Sequence, residues 1–169
     1  MTAGHFAAAL ALKARVPKAS TSALILGAFI PDFVWIVLCA LGVETDGRQP
    51  FYDDWSHSLV SIVLYASVFA LFFRKQGRAV AFACWLAVFS HFLLDCSVHP
   101  KSLALYPHSS THLTFALLNI SRLGGWLVEL AVTSVLLGVY AFSVRRLRVP
   151  SGPIFATCAL VLGWHVILR

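Results

Sequence analysis

Long apolar runs separated by short polar or basic clusters set the architecture of this chain. The run from Arg78 to Pro100, RAVAFACWLAVFSHFLLDCSVHP, has ~20 apolar-dominated residues, enough at 1.5 Å per residue to cross a bilayer. It nevertheless carries His91 and Asp95, and each ionisable group near a membrane centre costs roughly 2.5–3.5 kcal/mol on insertion scales. Four residues apart on a helix, the two side chains share one face. Ser20 to Leu41 is a first full span, interrupted by Gly27 and by Pro31-Asp32; proline removes a helical hydrogen bond, so a kink or break is predicted where the acid sits. Gly42 to Ser56 reads as a polar loop holding Glu44, Asp46, Asp53 and Asp54, and His57 opens a second span that runs to Phe73. Gly125 to Val144, with Glu129 inside it, is a fourth span, and Ile154 to Leu168 a short fifth after a Pro-Ser-Gly-Pro turn.

Two stretches fit no full span. Thr2 to Leu12 is an Ala-rich helical run too short to cross, which lies on the surface or dips part way in. His99 to Gly124 holds two prolines, His99, His108, His112 and Asn119, with a short interfacial helix expected near Leu113 to Ile120. The fold class is therefore all-α: a polytopic membrane helical bundle of about five spans plus a short N-terminal half-length or interfacial helix, forming one integral membrane domain over residues 1–169.

Composition strengthens this picture. Of 169 residues, 59% are hydrophobic and 12% charged, and the mean hydropathy of +0.82 is far above that of a soluble domain. The net charge of +6 does not point to nucleic acid, because the basic residues fall in short clusters between apolar segments rather than on one surface. Cys39, Cys84, Cys96 and Cys158 lack metal-motif spacing and lie in or beside apolar runs, where a reduced thiol acts as a small hydrophobe. No charged region precedes the first apolar run, so no removable signal peptide is expected.

The basic clusters also orient the chain. Lys13, Arg15, Lys18, Arg74, Lys75, Arg78, Arg145, Arg146 and Arg148 fall at one end of the spans, against Arg48, Lys101, Arg122 and Arg169 at the other. By the positive-inside tendency the first set, with the N-terminal cluster, is cytoplasmic, and the acidic and His-rich loops face outward. Measured at 1.5 Å per residue from the nearest cytoplasmic anchor, Asp32 stands ~21 Å up, His57 ~25 Å, His91 ~20 Å, Asp95 ~26 Å and Glu129 ~24 Å. These share one level in the outer half of the membrane. His5 fits less well, at ~12 Å above Lys13, and would join the floor of such a site.

His and Asp are common ligands of zinc and other divalent ions, and a catalytic centre leaves one position open for water. The metal lowers the pKa of that water toward ~7 and polarises a phosphoryl or carbonyl oxygen, so hydrolysis follows. Glu129 is the candidate ligand of another ion, general base, or orienting partner for a ligating His. Asp53 and Asp54 read as a solvated loop that attracts cations.

The order His5 in an Ala-rich start, Pro31-Asp32, Trp55-Ser56-His57-Ser58, then Ser90-His91 through Leu94-Asp95 resembles the bacterial membrane-bound, metal-dependent hydrolase family of small inner-membrane proteins. The resemblance covers roughly residues 3 to 107 and implies that His5, Asp32, His57, His91 and Asp95 bind metal. The His-x-x-x-Asp helix motif is also similar to that of zinc-dependent phospholipase C. Where many relatives continue with Thr-Pro-x-Gly, this chain reads Val98-His99-Pro100-Lys101, so its outer lip differs; for the later His and carboxylate of a phospholipase-like cluster, His112 and Glu129 are the positional candidates. The resemblance implies hydrolysis of an ester or phosphoester, plausibly a membrane lipid, with zinc as cofactor. Two other classes fit the same residues: a cation or proton transporter using a helix broken at Pro31, and a non-catalytic membrane protein whose polar groups lock helix register.

Overall fold

The computed structural model of the chain describes residues 2–45, 53–98, 103–113, 122–146 and 151–167. Among them are seven α-helices: α1 Thr2–Arg15, α2 Thr21–Ala40, α3 Asp54–His57, α4 Leu59–Phe73, α5 Arg78–Val98, α6 Arg122–Arg146 and α7 Ser151–Ile167. A two-residue antiparallel ladder, β1 Leu103–Ala104 with β2 His112–Leu113, closes a small hairpin. Four helical segments, within α2, α4 with the turn after it, α5 and α6, are long and apolar enough to cross a membrane. The fifth expected span, α7, has 17 residues and is shorter than those four. His99, Asn119, Asp46 and most of the segment expected as an interfacial helix lie outside the described residues.

The central element is α5. Of its apolar window 56% is buried inside the protein, against 22% for α2 and 17% each for the segments of α4 and α6. The remaining three therefore present large apolar side chains outward, among them Phe33, Leu64, Phe72 and Val135, as a lipid-facing surface does. Between the helices small residues make much of the contact, with larger ones such as Leu24 and Val80 among them. Ala9, Ala23, Ala28, Ala83, Cys84 and Ala87 form one core where α1, α2 and α5 meet, and Ile62, Ala66, Val88 and Phe92 continue it between α4 and α5. Small side chains let helix backbones approach closely where lipid gives no hydrophobic drive to associate.

Three local expectations change. Of the two placements expected for α1, the superficial one is excluded: it packs against α6, α2, α5 and α7, because Ala3, Ala7, Ala8, Ala9, Ala11 and Ala14 let it be enclosed. α2 is not broken at Pro31: the helix runs from Thr21 to Ala40 with the proline inside it, where the missing N–H of Pro31 leaves one helical hydrogen bond unmade. His57 ends the short α3 rather than opening the span, and Ser58 separates the two helices, its Oγ accepting from Ser61 N–H at 3.4 Å as the cap of α4.

Among the glycines of the described residues, Gly27 is held closest to its neighbours. A Cβ there would stand 2.9 Å from Cε1 of Phe69 and 3.2 Å from Cβ of Ala87. Gly27→Val should therefore destabilise the fold by about 1–3 kcal/mol through overpacking, read as a lowered melting temperature in detergent. An unchanged melting temperature would show that α2 and α5 part without cost.

Candidate metal centre

Four helices each deliver a side chain to one place. α1 brings His5, α2 brings Asp32, α3 brings His57, and α5 brings His91 and Asp95 one turn apart. His91 Nε2 stands 3.1 Å from Oδ2 of Asp95 and 3.7 Å from Oδ1 of Asp32. His5 Nε2 is 3.4 Å from Oδ1 of Asp95, and His57 Nε2 is 3.6 Å from Oδ1 of Asp32. The His5 ring stacks on that of His91 with centroids 3.9 Å apart, and the His57 ring lies 5.2 Å from it. Donor atoms of His5, Asp32 and His91, and again of His57, His91 and Asp95, lie within 4.8 Å of one another. All but Asp32 are buried; its side chain keeps 40% exposure, so the open side of the centre is the side of Asp32.

His91 shows why these groups suit a cation. Its Nδ1 is 2.8 Å from the carbonyl oxygen of Ala28, beside the gap that Pro31 leaves in α2. A carbonyl only accepts, so Nδ1 carries the hydrogen and a neutral ring leaves a lone pair on Nε2. That lone pair faces two carboxylates, and Nε2 is buried without a hydrogen-bond partner. Lone pairs facing carboxylate oxygens repel; a divalent ion between them reverses the sign. Spacing agrees as well. Two donors on one tetrahedral zinc, at about 2.0–2.2 Å each, stand about 3.3–3.6 Å apart, and the nitrogen–oxygen separations here run from 3.1 to 3.7 Å. Three imidazoles and two carboxylates are a donor set that zinc takes.

Not every candidate joins. Glu129, half-buried on α6, belongs to neither group of converging donors, since α6 packs chiefly on α1. His108 and His112 lie in the 103–113 hairpin and are also outside both groups among the described residues. His108 adopts a left-handed φ of 62° and its ring meets that of Trp55 edge-on at 5.9 Å. The side chain of His165 lies outside the described residues.

Asp53 and Asp54, expected to be solvated, are not. Asp53 and Asp54 are 4% and 6% exposed, and Oδ2 of Asp54 accepts from His108 N–H at 3.3 Å. Glu44, 3% exposed, accepts from Ser56 N–H through Oε1 at 2.9 Å and from the Ser56 hydroxyl through Oε2 at 2.8 Å. Burial pushes its carboxyl above the ordinary value, while the Ser56 hydrogen bonds pull it down. Ser56 Oγ in turn lies 2.6 Å from Nδ1 of His57. Sequence reading passed over Glu44, because no helical periodicity links a loop carboxylate to a His thirteen positions later; the Ser56-His57 pair was the only local signal.

Comparison with known proteins adds one match. Residues 1–132 fit the family described as zinc-dependent phospholipase C. No curated protein and no solved structure matches the chain significantly. The matched stretch covers most of the chain and contains all five converging side chains, and this protein belongs to the zinc-dependent phospholipase C family.

Proposed function

We propose that this protein is a membrane-embedded zinc-dependent hydrolase that cleaves phospholipid headgroups, with His5, Asp32, His57, His91 and Asp95 as metal ligands and its opening toward the extracytoplasmic leaflet of a bacterial inner membrane. The observation that carries the reading is the buried Nε2 of His91, which faces the carboxylates of Asp32 and Asp95 without a hydrogen-bond partner. Family membership supports the zinc and the lipid substrate class. The sidedness rests on the nine Lys and Arg at the other end of the spans.

A zinc held by these five side chains would supply Lewis-acid polarisation of a phosphoryl oxygen and an activated water near neutral pH. The chain's own residues do the rest. His5 and His91, stacked and buried, keep bulk water from the inner side of the centre. Asp32, the exposed member, borders the route by which a headgroup enters. The apolar outer faces of α2 and α4 keep the acyl chains in lipid while the phosphate reaches Asp32. Of the features that suggested transport, the helix break at Pro31 is not found, since α2 runs through it.

Purified protein loaded with zinc should release a phosphorylated headgroup from glycerophospholipid vesicles, lose that activity to a chelator and regain it with zinc. Zinc-loaded protein that leaves every phospholipid class intact would overturn the reading. Glu129→Gln belongs in the same assay: lower turnover at unchanged zinc content makes Glu129 a base or orienting group outside the ligand set, and unchanged turnover removes it from the reaction.

A further inference from the structure

Behind His57 a polar chain leads away from the centre and ends on Glu44. We infer that Glu44 is a positioning residue: acting through the Ser56 hydroxyl, its carboxylate holds His57 in the tautomer with hydrogen on Nδ1 and keeps the Nε2 lone pair turned toward Asp32. The inference rests on the reading of His57 as a metal ligand given above.

The hydrogens can be assigned one at a time. A backbone N–H only donates, so Oε1 of Glu44 accepts from Ser56 N–H. Ser56 Oγ carries a single hydrogen and has three neighbours: Oε2 of Glu44 at 2.8 Å, the carbonyl oxygen of Asp53 at 3.1 Å and Nδ1 of His57 at 2.6 Å. A carboxylate only accepts, so both short contacts hold a hydrogen only if Oγ donates to Oε2 of Glu44 and accepts from Nδ1 of His57; donation to Nδ1 would leave two oxygens 2.8 Å apart with no hydrogen between them. Nδ1 of His57, at hydrogen-bonding distance from the same oxygen, must then supply its own hydrogen. Nε2, 3.6 Å from Oδ1 of Asp32, is left with its lone pair. In the opposite tautomer the ring would aim an N–H at Asp32 and offer no ligand atom.

Local structure places Glu44 for this task. After α2, Gly42 turns the chain at a φ of 72°, and the N–H groups of Val43 and Glu44 both donate to the carbonyl of Leu38, at 2.9 and 3.2 Å. The turn brings a carboxylate that follows α2 back to α3, which packs on the same helix. A carboxylate orienting a ligating His through its other nitrogen is a general device of metal centres; here a hydroxyl stands between them.

Glu44→Gln gives a directional test with little change in size. Gln has one accepting oxygen, which Ser56 N–H occupies, so its NH2 group faces Ser56 Oγ as a donor. The hydroxyl hydrogen then turns to the Asp53 carbonyl or to Nδ1 of His57, and the second arrangement moves the ring hydrogen to Nε2. Substituting such outer partners costs roughly 10–100-fold in metal affinity. We expect the zinc dissociation constant to rise about 10-fold or more in Glu44→Gln and in Ser56→Ala. In the zinc-free protein with 15N-labelled histidine rings, wild type should show His57 protonated on Nδ1, and Glu44→Gln a new population protonated on Nε2.

Dissociation constants within about twofold of wild type in both variants, with the His57 tautomer unchanged, would overturn the inference. The tautomer is read without metal, so the two ideas fail separately. A wild type that binds no zinc removes the metal centre while leaving a tautomer shift in Glu44→Gln as support for the positioning role.

Discussion

Asp95→Asn should abolish stoichiometric zinc binding and lower phospholipid hydrolysis by about three orders of magnitude or more. Asp95 touches two of the three imidazoles, through Oδ1 to His5 and through Oδ2 to His91. Asparagine keeps the shape, removes the charge and replaces one oxygen with an NH2 group, which would donate to the lone pair of whichever ring it faced. The variant thus loses one ligand atom and occupies another. Outer-shell substitutions already cost roughly 10–100-fold in affinity, so a direct ligand costs more. The rate follows because a bound metal contributes several kcal/mol to the transition state, and each 1.36 kcal/mol is tenfold. Elemental analysis of purified Asp95→Asn beside wild type checks it. Equal zinc content in the two would remove Asp95 from the ligand set.

Zinc removal should lower the melting temperature of the wild type by roughly 10 °C, and that of Asp95→Asn hardly at all. The centre joins α1, α2, α3 and α5, elements tied otherwise by small-residue packing, so a ligand shared among them stabilises the fold by its binding free energy. At a free concentration a thousand times the dissociation constant this is about 4 kcal/mol, and a chain of this length shifts by about 2–4 °C per kcal/mol. Melting in detergent with and without chelator reads both proteins. Equal curves for wild type would mean that the five side chains hold the helices together without a metal.

Particular residues show how much was legible in advance. The hydrophobic runs located four helices long and apolar enough to cross, and the pair His91 and Asp95 stood out because lipid does not tolerate them unpaired. Counting rise per residue set Asp32, His57, His91 and Asp95 at one height, and these four do converge. The same count set Glu129 at that height, yet it joins neither donor group. His5 was counted too low and nevertheless stacks on His91. Its anchor differs from the others: Lys13 Nζ turns to donate to the carbonyls of Pro17 and Ala19 at 2.7 and 2.9 Å. Asp53 and Asp54, read as solvated, are buried where α3 and the hairpin meet.

By itself, then, the sequence determined the all-helical class, the order of the apolar segments and the height of most ionisable groups, because hydropathy and a rise of 1.5 Å per residue act along each helix separately. Direction around each axis was decided only by tertiary structure. Which helix lies beside which follows from small residues meeting across interfaces, as at Gly27, Ala28 and Ala87, and those contacts join residues far apart in the chain. That packing turned α5 toward α1, α2 and α3, left Glu129 on a helix that leans on α1, and folded Glu44 back behind His57.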